Sequence, residues 1–166
     1  GTVMEGEQRN VLIESARIAR GKIKNIADAN ARDYQAIFFP GGYGAATNLS
    51  NFASQGAAST IQADVLKFAK DAAKARIPAC YICIAPALIP AIYEHGTHLT
   101  IGNDAGTAAQ IKAMGGQHIN CPVHECVVDR THKVVSTPAY MLAENIAQAA
   151  EGIERAVAAT LALNEM

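Results

Sequence analysis

The spacing of apolar residues changes period several times along the chain. Residues 9–20, RNVLIESARIAR, put Leu12, Ala16 and Ala19 on one helical stripe, and Gly21 closes it as a C-terminal cap would. Residues 34–39, YQAIFF, are a short apolar run stopped by Pro40-Gly41-Gly42, which predicts a buried strand entering a sharp loop. Residues 57–75 return to helical spacing through Ile61, Val65, Phe68, Ala69 and Ala72. A second buried strand is predicted over 77–83, an apolar helix over 85–95 closed by Gly96, and a third strand over 97–101. A short helix over 106–114 ends in Gly115-Gly116. A hairpin follows, Glu125 to Asp129 and His132 to Ser136, about a turn at Arg130-Thr131. The last helix is predicted from Pro138 to about Leu163. Thr137 is its expected N-cap, and Leu142, Ile146, Ala149, Ile153, Val157 and Leu161 its inward stripe.

Short apolar strands alternating with helices predict one α/β domain, residues 1–166, with a mostly parallel sheet. Ligands in such sheets bind beyond the carboxyl ends of the strands. Pro40 to Gly44, Cys83 to Ala85 and Gly102-Asn103 are expected at that end. His98 and His118 are read as strand starts, at the opposite end. An antiparallel hairpin over 125–136 returns His124 and Thr137 to the ligand end.

Composition narrows the function classes. Half of the 166 residues are hydrophobic and only 17% are charged, against roughly 25% in an average soluble protein. Net charge is −1 with scattered Lys and Arg, so neither a nucleic acid nor an anionic membrane is an expected partner. No apolar run approaches the ~18 residues of a membrane span. Four cysteines are too few for a disulfide scaffold, and a reducing cytoplasm is the expected compartment.

Two of those cysteines stand in I77-P-A-C-Y-I-C-I-A-P-A-L-I-P90. In a strand, Cys80 and Cys83 point to opposite faces, about 10 Å apart, whereas disulfide sulfurs must approach to about 2 Å. A redox or metal pair is therefore disfavoured, and Cys121, His124 and Cys126 do not form a familiar zinc spacing. Cys80 reads as a core residue. Cys83 falls where the strand ends and Ile84-Ala85-Pro86 begin a helix, with Pro86 suited to the first turn. A strand turning through a nucleophile into a helix is a nucleophile elbow. Helix N-termini lower thiol pKa values from ~8.5 into the ~3.5–7.5 range. Ala85 has the small size the elbow favours two residues after the nucleophile, and Tyr81, two before it, does not. The competing reading of Cys83 is another buried cysteine.

The turn Gly42-Tyr43-Gly44-Ala45-Ala46-Thr47 misses the dinucleotide pattern at its last position and lacks the Lys of a phosphate loop. It remains either an oxyanion hole, built from an N–H here and that of Ile84, or a tight turn with no ligand.

F39-P-G-G-Y-G-A-A-T-N-L-S50, Y81-I-C-I-A-P-A87 and S136-T-P-A-Y-M-L-A-E-N145, in that order, resemble the ThiJ/PfpI superfamily, the class I glutamine amidotransferase-like fold. R9-N-V-L-I-E-S-A-R-I-A-R-G21 and L99-T-I-G102 are similar to its enhancing-lycopene-biosynthesis, or sigma cross-reacting, subgroup, and the resemblance covers essentially the whole chain. It implies a flavodoxin-like three-layer sandwich, usually a homodimer. Cys83 would be the nucleophile, and Gly42, Tyr43 and the Ile84 N–H the oxyanion hole. The implied activity is a cofactor-independent glyoxalase acting on a small dicarbonyl, glyoxal to glycolate. Members begin with a β-α-β unit that supplies a glutamate beside the cysteine, and this sequence starts after it. The expectation is an N-terminally incomplete fold, whose missing segment either belongs to a larger intact protein or is supplied separately by another chain. Glu14 does not match that glutamate. Where some branches carry a histidine, this chain has Ile101-Gly102-Asn103. Asn103 and His124 are thus the remaining candidates to line the site or act as base. The alternative function is a non-catalytic redox-sensing or regulatory module that keeps the elbow.

Overall fold

The parallel sheet expected from the alternating runs is present in the computed structural model, which describes Gly6 and residues 8–166. In chain order the elements are α1 (Val11–Ile18), β1 (Ile37–Phe39), α2 (Tyr43–Thr47), α3 (Phe52–Gln55), α4 (Ala63–Lys74), β2 (Ala79–Ile82) and α5 (Ile89–Ile92). There follow β3 (His98–Leu99), α6 (Ala105–Ala113), β4 (Gln117–His118), β5 (Val127–Asp129), β6 (Val134–Thr137) and α7 (Ile146–Ala162). The main sheet has the order β1-β2-β6-β5. β1, β2 and β6 run parallel, and β5 returns antiparallel to β6, as the hairpin reading requires.

Strand alternation sorts β2 between two layers. Ala79 and Tyr81 join the core beneath α4, with Val65, Ala69 and Ala72. Tyr81 stacks on Phe39 of β1, ring centroids 4.7 Å apart. Cys80 and Ile82 join the opposite core with Val135, Ala156 and Leu163, under α7. All four β2 residues are buried, as a central parallel strand covered on both faces must be. The result is a three-layer α/β sandwich of flavodoxin-like type.

Several elements differ from the periodicity reading. The helix expected over 57–75 begins only at Ala63, with Gln62 as cap; its side chain accepts from the Val65 N–H at 2.9 Å. The helix expected over 85–95 is a 3₁₀ turn, Ala85–Leu88, followed by the short α5. Pro86 and Pro90 each lack an N–H, so a continuous α-helical ladder cannot form there. β3 pairs with β4 in a separate two-stranded sheet. Side chains tie it to the main sheet: the Thr100 N–H donates to Ser136 Oγ and the His98 N–H to Asp129 Oδ2, both at 2.9 Å.

The last helix is also displaced. Pro138 opens a 3₁₀ turn, Ala139–Met141, and α7 starts at Ile146 with Asn145, not Thr137, as its N-cap. The buried face is Ala149, Gly152, Ala156 and Thr160, continued by Leu163 beyond the helix, while Ile146 and Leu161 are exposed. Small residues face inward because the helix lies close to the chain beneath it. A Cβ at Gly152 would collide with the Val123 carbonyl. On α1, Asn10 caps as a good N-cap residue does, yet no residue of the helix is buried.

Candidate functional site

β2 ends at Ile82, and Cys83 takes a left-handed backbone, φ +63°. Cysteine pays about 1–2 kcal/mol for that region relative to a right-handed conformation. The bend is held by the surrounding chain. The Cys83 N–H donates to the Thr137 carbonyl at 3.0 Å, carrying the pairing with β6 one residue past the end of β2. Immediately afterwards the 3₁₀ turn begins, with Pro86 in its first turn. Strand, left-handed cysteine and helical turn follow one another as the elbow reading requires. Cys83 is half-buried.

The glycine turn after β1 lies against this bend. Gly41 has φ +84°, and a Cβ built on it would overlap the Ile82 carbonyl and lie 3.0 Å from the Cys83 Cβ. Only glycine permits that approach. Gly42, φ +75°, then caps α2 without a side-chain hydrogen bond. Among the described residues, the N–H groups of Gly42, Tyr43 and Ile84 donate to no protein acceptor. Unpaired backbone donors therefore lie in both of the loops that meet at Gly41 and Cys83. The Gly41 contact was not singled out from the sequence, although the Pro40-Gly41-Gly42 triplet carried the signal.

The other candidates are less engaged. His124 lies at the same end of the sheet, ahead of β5, but its side chain is 47% exposed and its partner is Glu125, Nε2 to Oε1 3.9 Å. Glu125 is itself held by Arg155 at 3.0 Å. Asn103 is exposed in the loop after β3, between buried Gly102 and Asp104, whose carboxylate caps α6 through the Thr107 N–H at 2.7 Å. No hydrogen bond or ion pair joins either residue to Cys83 among the described residues. His98 lies at the opposite end of β3, beside Asp129. His118 ends β4 instead of starting it, and its Nε2 accepts from the Ile101 N–H at 3.2 Å. The His118 side chain and the His98 backbone thereby help to hold the small sheet.

The remaining thiols are chemically quieter. Burial pushes Cys80 up to about 12, only partly offset by the Thr160 hydroxyl. Burial likewise pushes Cys121 up to about 11 and raises Cys126. A thiol at such values carries almost no thiolate at neutral pH. All four cysteines are free. Among the described residues no group of three or more His, Cys, Asp or Glu side chains is arranged to hold a metal ion. No helix among them is long and apolar enough to cross a membrane.

No family model matches the chain. It is similar to the mitochondrial ES1 protein homolog of Rattus norvegicus, 41% identical over 98% of this chain and 64% of the relative. It is also similar to the human mitochondrial glutamine amidotransferase-like class 1 domain-containing protein 3, 44% identical over 85% of this chain and 56% of the relative. The chain thus spans less than two thirds of the length of both. Among solved structures, an isoprenoid biosynthesis protein with an amidotransferase-like domain from Ehrlichia chaffeensis superposes with a TM-score of 0.86. It is 31% identical, over 95% of this chain and 72% of that one. The Rapid Encystment Protein of Francisella tularensis, 14% identical with a TM-score of 0.60, shares the fold alone.

Proposed function

The chain belongs to the ThiJ/PfpI-like, class I glutamine amidotransferase-like family, and we propose that it is a cysteine-dependent glyoxalase converting glyoxal to glycolate on Cys83. The observation that supports this most is the left-handed elbow of Cys83, packed against Gly41 beside the unpaired N–H groups of Tyr43 and Ile84. The Cys83 thiolate adds to one aldehyde carbon and forms a hemithioacetal. The oxyanion that develops on the former carbonyl oxygen is stabilised by the two N–H groups, oriented in advance by the backbone. A base then takes the proton from the sulfur-bearing carbon, and the neighbouring carbon is protonated. This internal transfer yields a glycolyl thioester, so no external oxidant or reductant is consumed. Water cleaves the thioester, releasing glycolate and the thiol.

His124 and Asn103 enter this scheme as loop residues at the ligand end, His124 as a base only if a substrate draws it inward. A glutamate from a preceding β-α-β unit is the base that the family resemblance implies. Absence of cofactors, a homodimeric assembly and a role connected with isoprenoid biosynthesis belong to the same proposal. The Ehrlichia protein's name supports the last of these. Four free thiols suit a reducing compartment such as the cytoplasm; the rat and human relatives are named as mitochondrial. The test is glycolate formation from glyoxal by the complete protein. Cys83→Ala is expected to abolish it, and Cys80→Ser to retain most of it. Equal loss in both variants would point to a paired-cysteine reaction.

A second reading has its own support. Burial disfavours the thiolates of the three other cysteines, and Cys83 is half-buried, as Cys126 is, and stands at a bend, which also suits a redox sensor oxidised at a single sulfur. Selective peroxide oxidation of Cys83 in a protein that does not turn over dicarbonyls would favour that reading.

A further inference from the structure

A second cleft lies at the pole of the sheet opposite Cys83. Its volume is about 540 Å³, and its wall includes Lys70, Lys74, Arg76, Tyr93, Glu94 and His132. We infer that this cleft is a binding site for a small organic phosphate, independent of the cysteine chemistry.

Three features carry the inference. First, Lys70 and Lys74 stand four residues apart on α4, so both ammonium groups share one face of the helix. Neither has an ion-pair partner among the described residues. Lys67, on the same helix, is paired with Asp71 at 2.7 Å. Like charges at this spacing repel, and the negative end of the helix dipole offsets only part of that. Second, Arg76 adds a third cation from the turn after α4. Its backbone is left-handed, φ +57°, and Nη1 donates to the Thr131 carbonyl at 3.1 Å. That bond ties the α4–β2 turn to the β5–β6 turn, and the remaining guanidinium N–H groups stay available for an oxyanion.

Third, the cleft contains an oriented imidazole. Asp129 is buried, and its Oδ1 accepts from the His132 N–H at 2.9 Å while Oδ2 stands 3.0 Å from His132 Nδ1. The carboxylate fixes the proton on Nδ1 and leaves Nε2 toward the cleft, 3.8 Å from the Glu94 carboxylate at its rim. Tyr93 packs edge-on against the imidazole, with centroids 6.5 Å apart, and Ala73 and Ile92 complete an apolar flank. Three cations against one rim carboxylate select an anion. The aromatic and aliphatic flank gives a carbon skeleton something to cover, and Glu94 can accept from a ligand hydroxyl. A cleft of this size is in the usual range for small-molecule sites.

The test is isothermal titration of the complete protein with glycerol phosphate, inorganic phosphate and sulfate as separate probes. Saturable binding of glycerol phosphate, tighter than that of sulfate and weakened by salt, is the expected result. The double variant Lys70→Gln/Lys74→Gln should weaken it about ten-fold or more, and Arg76→Gln should weaken it further. Both lysines are exposed, so circular dichroism of the double variant should be unchanged. Cys83→Ala should bind as the wild type does, which separates this site from the proposed glyoxalase reaction. Absence of saturable binding at millimolar probe, equal affinity for all three anions, or unchanged affinity in the lysine variant would overturn the inference.

Discussion

Gly41 and Cys83 are locked together: a single added carbon on Gly41 would lie 3.0 Å from the Cys83 Cβ and overlap the Ile82 carbonyl. The loop after β1 and the bend after β2 therefore hold each other in place. Gly41→Ala should separate them and also strain a backbone at φ +84°. The expected cost is about 1–3 kcal/mol in urea unfolding. A displacement of this kind is worth roughly 10²-fold in turnover. A variant of unchanged stability and activity would show that the contact does not hold the site.

The bend itself carries backbone strain, with Cys83 at φ +63°. Replacing Cys83 by Gly relieves the left-handed penalty. Cys83→Gly should therefore be more stable than Cys83→Ala by about 1 kcal/mol, while both lose the activity. Equal unfolding midpoints for the two variants would mean that the elbow is not strained in solution.

Thiol reactivity should follow position. Burial holds Cys80 near 12 and Cys121 near 11 and raises Cys126, so a limiting amount of iodoacetamide at neutral pH is expected to label Cys83 first. Peptide mapping reads this directly. Preferential labelling of Cys126 or Cys121 would transfer the candidate role to the loop before β5.

Acid should loosen the small sheet before the large one. Burial lowers the pKa of His118 below its ordinary 6.5, and its neutral Nε2 accepts from the Ile101 N–H. Below 6.5 the unfolded chain binds this proton more readily than the folded one, so stability falls as pH drops through the window just below 6.5. His118→Gln should flatten that part of the pH–stability curve. Asp129 gives a second, more acidic limb. Burial raises its pKa, but the His98 and His132 N–H groups and the His132 side chain outweigh this and hold it below 3.8. The stability it contributes is present above 3.8 and is lost as pH falls through its folded value. A stability curve flat from neutrality down to the carboxylate range would contradict the His118 assignment.

The sequence made the α/β alternation and the position of Cys83 legible because both depend on local patterns. Ala79 to Ile82 form an uninterrupted apolar run, and Pro86 marks the first turn after the bend. Less was visible where tertiary approach decided the outcome. The inward face of α7 is made of Ala149, Gly152, Ala156 and Thr160, and a hydropathy stripe through Ile146 and Leu161 cannot anticipate that. Gly152 faces inward because the Val123 carbonyl leaves room for no side chain. Likewise β3 and β4 form a sheet of their own because Ser136 and Asp129 side chains take N–H groups of the β3 segment that a neighbouring strand would otherwise pair. The Asp129–His132 pair was invisible for the same reason, since its geometry is created by the turn between β5 and β6.

The most direct test of the account is covalent. The complete protein is mixed with glyoxal, quenched in acid during turnover, digested and mapped by mass spectrometry. The account predicts a glyoxal-derived adduct on the peptide carrying Cys83, absent from Cys83→Ala together with glycolate release. Glycolate formation that persists in Cys83→Ala, with no adduct on that peptide in the wild type, would contradict it.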